Sequence, residues 1–201
     1  YTFTETNYGT TYEVSVTAIP SDVNLYKAST ATTTVTTEVP ATVAYYKPVT
    51  STEALTEGKY LIVYKDKSIA VDGSQGADKS KMGGQNVSVA VTISDEGIIS
   101  ESATDAAAFT IAPVTGGYTL VNKDGQFVNG PTGANGLQAG TVAANNYICG
   151  ISFNEDGSAT IANYDATTQL VYNTSGYFRF YKNSTAAGSN YKALHLYKLS
   201  E

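Results

Sequence analysis

The chain has 201 residues, of which 42% are hydrophobic and only 15% charged, with a formal net charge of -6 and a pI near 4.7. That length accommodates one large β-domain or two small ones, and two are expected. An acidic surface repels phosphate backbones and argues against nucleic acid as a partner, and no segment approaches the roughly 20 apolar residues that a helical membrane span requires.

Abundant Tyr and Gly, with no Trp, favour strands and turns, because β-branched and aromatic side chains suit a pleated surface and Gly suits tight turns. The chain opens on Tyr1-Thr-Phe-Thr4 rather than on a basic and then apolar leader, so any signal or anchor is expected to have been removed or to lie outside this stretch. Residues 1–39 read as three strands. The first is Tyr1-Thr-Phe-Thr4. In the second, Tyr12, Val14, Val16 and Ala18 alternate with Glu13, Ser15 and Thr17, the period-2 signature of a strand. The third is Ala31-Thr-Thr-Thr-Val-Thr-Thr37, beyond a loop holding Pro20-Ser-Asp22. Three strands this short make an isolated sheet of doubtful stability.

Tyr1-Thr-Phe-Thr4, Gly9-Thr-Thr-Tyr12-Glu-Val-Ser-Val-Thr-Ala18 and the Thr-rich strand together resemble the last three strands (E, F and G) of a fibronectin type III domain. The resemblance puts Tyr12 at the tyrosine corner, whose hydroxyl ties down the turn between two strands. Thr6 and Tyr8 depart from that pattern, where Leu and Pro are expected. The earlier strands of such a sandwich are not in the sequence, which implies a shortened or cleaved fragment, or else a small sheet packed directly on the next domain.

Pro40, Ala41 and Pro48 bracket a connector, so the expected division is a fragment over 1–40, a linker over 41–48 and a second domain over 49–201. That domain reads as a succession of short strands. Val87, Val89, Val91 and Ile93 alternate with polar or small residues. Asn122-Lys-Asp124-Gly125 and Asn154-Glu-Asp156-Gly157 place Asp-Gly between strand-like runs, a strong hairpin signal. Only Ser102 to Ala108 offers a helical turn or two. Cys149 is the single cysteine, which excludes an internal disulfide or a cysteine-based zinc site, and its apolar run Tyr147-Ile-Cys-Gly-Ile151 marks it as a small buried hydrophobe.

An internal repeat links three hairpins. Tyr60-Leu-Ile-Val-Tyr-Lys-Asp66 leading to Ile69-Ala-Val71 is matched by Tyr118-Thr-Leu-Val-Asn-Lys-Asp124 leading to Phe127-Val128. A looser copy is Ala159-Thr-Ile-Ala-Asn-Tyr-Asp165 leading to Leu170-Val171. The fold class is therefore all-β, with an antiparallel barrel built from similar hairpins; a β-trefoil-like barrel is the alternative, although unequal spacing argues against strict threefold symmetry. From Tyr46-Lys-Pro-Val to Phe178-Arg-Phe-Tyr-Lys182 and Leu196-Tyr-Lys-Leu199, the region resembles β-barrel accessory modules near the C-termini of surface and secreted proteins of gut anaerobic bacteria. The resemblance implies an accessory module of a longer multidomain protein, extracellular or on the outer cell surface, and no particular ligand.

Catalytic signals are sparse. His195 is the only histidine, with no Gly-x-Ser-x-Gly elbow beside it, and Asp66, Asp72, Asp124, Asp156 and Asp165 mostly occupy turn contexts where Asp binds its own backbone. Asp72-Gly-Ser-Gln-Gly-Ala-Asp78 lacks the closing acid of a helical calcium loop. No enzyme, cofactor or metal is expected. One constellation suggests binding. In Tyr177-Phe-Arg-Phe-Tyr181, Phe178 and Phe180 share one face while Tyr177, Arg179 and Tyr181 share the other. Pairing this strand antiparallel with Lys192 to Leu199 sets Leu194 and Leu196 beside the phenylalanines and adds His195 and Tyr197 to an aromatic stripe holding the only arginine. Such a stripe suits stacking on sugar rings or docking a surface protein. The expectation is a non-catalytic module that binds carbohydrate or a host or matrix surface, with a spacer or an accessory domain of a larger secreted hydrolase as the alternative.

Overall fold

The computed structural model describes residues 11–22, 24–36, 43–73 and 88–200, and the chain divides into two units, Tyr1–Thr42 and Val43–Glu201. In the first unit, β1 (Thr11–Ala18) pairs antiparallel with β2 (Ser29–Thr36). One face is a ladder of hydroxyls, with Thr11, Ser15 and Thr17 bonded to Thr36, Thr32 and Thr30 at 2.8, 3.1 and 2.8 Å. Each such cross-strand pair contributes roughly 0.2–1 kcal/mol. The other face carries Tyr12, Val14 and Val16 against Val35, Thr33 and Ala31. The strand expected over residues 1–4 lies outside the described residues.

The second unit contains, in chain order, β3 (Tyr45–Val49), β4 (Gly58–Tyr64), β5 (Ile69–Val71), β6 (Ser88–Ala90), β7 (Ile98–Ile99), α1 (Ser102–Ala107), β8 (Phe109–Val114), β9 (Gly117–Val121), β10 (Phe127–Asn129) and β11 (Gln138–Gly140). It continues with β12 (Ile148–Phe153), β13 (Ala159–Ala162), β14 (Thr168–Asn173), β15 (Tyr177–Lys182), α2 (Asn183–Ala186), β16 (Tyr191–Lys192) and β17 (His195–Leu199). Antiparallel pairing runs from β17 through β4, β8, β9 and β12 to β13. The amide of Ala159 donates to Leu194 O at 2.7 Å and closes the ring. The result is a six-stranded barrel in which each member has a neighbour on both sides.

β4, β9 and β13 alternate with their neighbours around this ring, so all three run in the same direction. The chain leaves each one at the same end of the barrel, as the hairpins β5–β6, β10–β11 and β14–β15, and returns as β8, β12 and β17. Three copies of strand, hairpin and strand make the topology of a β-trefoil. The sequence repeat marks where each copy leaves the barrel. The amides of Ser68, Gly125 and Ala166 donate back to the carbonyls of Lys65, Asn122 and Asn163 at 2.9, 3.0 and 2.9 Å, and all three donors are left-handed, with φ of 50°, 74° and 53°. Each return path also carries one helical turn against its own hairpin: α1 on β5 and β6, a 3₁₀ turn over Asn145–Tyr147 on β10, and α2 on β14 and β15.

Strand alternation sorts the core. Tyr60, Ile62 and Tyr64 of β4 face inward with Phe109, Ile111, Leu120, Ile161 and Phe180. Burying a side chain such as Phe109 or Phe180 contributes about 1.5–3 kcal/mol. Leu61 and Val63 point the other way, into a second cluster with Tyr46, Val91, Ile98 and Tyr197. Covered on both faces, β4 reads as an unbroken apolar run.

Three expectations shift. Residues 45–48 of the expected linker belong to β3, which pairs with β17 and so is part of the barrel unit. The strand expected over 87–93 is confined to Ser88–Ala90 plus one bridge from Ile93 to Ile98, because Ser94 and Gly97 exchange backbone bonds in a tight turn; Val87 lies outside the described residues. Gly97 is left-handed (φ 123°), and a Cβ there would stand 2.4 Å from Tyr46 O, so the turn needs glycine. The polar loop over 183–190 contains α2. The expected turn at 102–108 is α1, with the Glu101 amide donating to Thr104 Oγ1 at 3.0 Å in a capping box. The glycine-rich segment 74–84 and Asp78 lie outside the described residues.

Candidate functional site

β15 pairs with β14 in the register Asn173↔Tyr177, Val171↔Arg179 and Gln169↔Tyr181. Phe178 and Phe180 enter the main core, and Tyr177, Arg179 and Tyr181 share the outer face as their spacing requires. Tyr181 is buried with Val171 and Ala186, while Tyr177 and Tyr191 pack half-buried at its margin. Its ring lies 4.6 Å from that of Tyr191 at 55°. The Asn173 amide donates to the hydroxyls of Tyr181 at 2.9 Å and Tyr177 at 3.4 Å. Burial, and then the Tyr177 hydroxyl beside it, push the Tyr181 phenol up to about 12.

Arg179 is held from two sides. One terminal nitrogen donates to Asn135 O at 3.0 Å, and the guanidinium lies 5.7 Å from the Tyr181 ring centroid. Its Nε is buried and has no hydrogen-bond partner. Asn135 also accepts the Lys182 amide at 2.8 Å through its side chain, which fixes the loop beside β15.

The other two stripe residues are elsewhere, because β17 does not pair with β15. As the last barrel strand, β17 lies between β4 and β3, with His195 opposite Val63 and Tyr197 opposite Leu61 and Pro48. Tyr197 is buried in the second cluster, and that burial raises its phenol pKa. His195 is half-buried on the outer face of β17, and its Nδ1 is buried without a partner. Desolvation and then the Lys65 ammonium lower its pKa, against the opposing pull of the Asp156 and Asp66 carboxylates. The apolar half of the sequence argument holds in a different way: Phe178, Phe180, Leu194 and Leu196 meet in the main core without their strands pairing. Tyr191 joins the aromatic face because β16 pairs with β14, and no periodicity in the sequence marks it.

Two of the candidate carboxylates, Asp156 and Asp165, are occupied in their own turns, while Asp66 accepts the Tyr64 hydroxyl. Asp156 accepts the Ser158 hydroxyl and amide at 2.6 and 2.9 Å, and Asp165 accepts the Thr167 hydroxyl at 2.7 Å and the Asn163 amide at 2.6 Å. These bonds, led by the hydroxyls, hold both acids below their ordinary range. Among the described residues, no three His, Cys, Asp or Glu side chains gather as a metal site, and no helix is long and apolar enough to cross a membrane.

A groove of about 730 Å³ opens beside the start of β4. β17 pairs with β4 only as far as Lys198↔Tyr60 but stays with β3 to Leu199↔Tyr46, so the two strands part. Glu57, Lys59, Thr110, Lys198, Leu199 and Ser200 line the opening. None of them stands out in the sequence, since the groove exists only where two strands separate.

No protein-family model matches the sequence, and no curated protein is similar to it. Among solved structures, the chain is similar to a designed 3-fold symmetric protein, ThreeFoil, at 13% identity, over 72% of this chain and 99% of that one, with a TM-score of 0.45. That fit is too loose to bear on the fold, and the trefoil topology stands on the strand pairings alone.

Proposed function

We propose that the barrel unit is a non-catalytic, extracellular or cell-surface binding module that takes carbohydrate on the outer face of the β14–β15 hairpin. The observation that carries this reading is one outer face that holds the half-buried Tyr177 and Tyr191, both packed with Tyr181, and a guanidinium held by Asn135 and Tyr181. A phenol ring presents a flat apolar surface for the C–H face of a sugar, and a fixed guanidinium offers donors to its hydroxyls at low ordering cost. The non-catalytic half rests on chemistry: the single histidine has no partner at Nδ1, and Asp156 and Asp165 are tied to their own turns.

The test is a glycan array and polysaccharide pull-down with the native chain and with Tyr177→Ala, Tyr191→Ala and Arg179→Ala, each checked for folding. Loss of about tenfold or more in affinity for the same glycan in all three supports the reading. Unchanged binding in folded variants removes this face from consideration. The second reading, a spacer with no ligand of its own, is favoured by the burial of Tyr181 beneath α2, and a native chain that binds no glycan supports it.

A further inference from the structure

We infer that the outer face of the β10–β11 hairpin is a second carbohydrate site, shaped for a neutral hexose. It belongs to a different repeat from the face of β15 and does not depend on that reading.

Strand register brings the groups together. Phe127 pairs with Gly140 and Asn129 with Gln138, so alternation sets these four on the outer face, while Val128 and Ala139 between them turn into the main core. The 3₁₀ turn over Asn145–Tyr147 folds back on the same face. The Asn129 side-chain amide holds it there, donating to Asn146 O at 3.0 Å and to Ile148 O at 2.7 Å. Tyr147 crosses Gly140 closely, since an added Cβ, pointing outward there, would meet Oη, Cζ and Cε2 of the phenol, all within 3.2 Å. The ring therefore lies on bare backbone, 6.2 Å from the Phe127 ring and 34° from parallel to it. Both rings are half-buried.

Polar groups stand beside the rings. Asn146 is exposed, and its Nδ2 donates to Gln138 Oε1 at a long 3.4 Å. The Gln138 amide donors, the Asn146 amide oxygen and the Tyr147 hydroxyl are left with no protein partner among the described residues. A pyranose matches this set, because its C–H face stacks on an aromatic ring and its adjacent hydroxyls pair with a neighbouring donor and acceptor.

The hairpin is also neutral. No Asp, Glu, Lys, Arg or His occurs from Gly125 to Asn154, in a chain that holds 18 acidic and 12 basic residues. The registers Val121↔Phe127↔Gly140 and Ala162↔Gln169↔Tyr181 make Gly140 the counterpart of Tyr181, and so Gln138 the counterpart of Arg179. An amide thus stands where the third repeat has a guanidinium. These residues offer no charge to pair with a carboxylate or an ammonium, only hydrogen bonds and ring stacking, and a neutral sugar satisfies both.

The test is two-dimensional NMR of the full chain titrated with the methyl glycosides of glucose, galactose, mannose and N-acetylglucosamine, with glucuronate as the charged control. Saturable shifts at the Gly140 and Tyr147 backbone amides and the Gln138 and Asn146 side-chain amides are expected with at least one glycoside, unchanged by added salt. Tyr147→Ala should weaken that glycoside about tenfold, and Asn146→Ala, which keeps the backbone bonds of the turn, about fivefold. The amides of Gly176 and Tyr191 report the β15 face, so the two sites are read separately. Shifts confined to Gly176 and Tyr191 overturn this proposal and leave the β15 reading standing, whereas shifts confined to the β10–β11 face support this site and count against that reading. The proposal is also overturned if no glycoside moves the four resonances, if glucuronate binds more tightly than every neutral glycoside, or if either variant, folded, binds as the native chain does. Should Tyr147→Ala fail to fold, Asn146→Ala decides.

Discussion

Tyr64 of the first repeat and Tyr172 of the third stack with ring centroids 4.5 Å apart and planes 19° from parallel. Lys67 Nζ donates to the Tyr172 hydroxyl at 3.1 Å, the Tyr64 hydroxyl donates to Asp66 at 3.1 Å, and Phe178 meets the Tyr172 ring edge-on at 5.1 Å. The pair therefore fastens two hairpins that are remote in sequence. A double-mutant cycle with Tyr64→Leu and Tyr172→Leu, read by chemical denaturation, should give a coupling energy of about 0.5–1.5 kcal/mol. Additive single mutants would show that the rings only fill space.

The only histidine should titrate below its ordinary value of 6.5, because burial and Lys65 disfavour the imidazolium. A depressed folded pKa means that the unfolded chain takes up the proton first. The contribution of His195 to stability is thus complete above about pH 6.5 and is lost as pH falls through the folded value. The imidazole resonances in NMR measure this directly, and a midpoint at or above 6.5 refutes it. His195→Gln should flatten the acid limb of the stability curve over the same range.

Cys149 is 1% exposed on β12, and burial raises its thiol pKa well above the ordinary range. Reaction with a thiol reagent requires the thiolate, so labelling should proceed only through unfolding. In native buffer the labelling rate should follow the unfolding equilibrium and rise steeply with denaturant. Fast stoichiometric labelling of the folded chain would show that β9 and β12 open locally.

The second and third repeats use different residues at one left-handed turn position, Gly125 at φ 74° and Ala166 at φ 53°. A side chain in this conformation costs about 1–2 kcal/mol, offset in part by the lower unfolded-state entropy of alanine. Ala166→Gly should raise stability by about 0.5–1 kcal/mol. Gly125→Ala, where an added Cβ meets nothing within 4 Å, should lower it by a similar amount through backbone strain alone. Denaturation midpoints of the two variants moving in the same direction would contradict this account.

Much of the local structure was legible in the sequence because it is governed by neighbouring residues. Alternation along Phe178 and Phe180 places both in the core, and Asn122, Asn154 and Asn163 open turns whose backbone bonds close within a few residues. The threefold repeat was legible too, since each copy leaves the barrel through the same turn.

Strand partnership was a different matter. β15 and β17 both alternate apolar with polar or aromatic residues, so their direct pairing satisfies every local rule, and the five-residue stripe followed from it. Barrel closure decides otherwise: Leu194 must meet Ala159, and β17 must fill the gap beside β4, which carries His195 and Tyr197 away from Arg179. The same closure brings Tyr191 to the aromatic face and parts β17 from β4 at the groove. Side-chain period and turn chemistry are properties of a single strand and are written in the sequence, whereas the choice among compatible partner strands is made only when the whole sheet closes on itself.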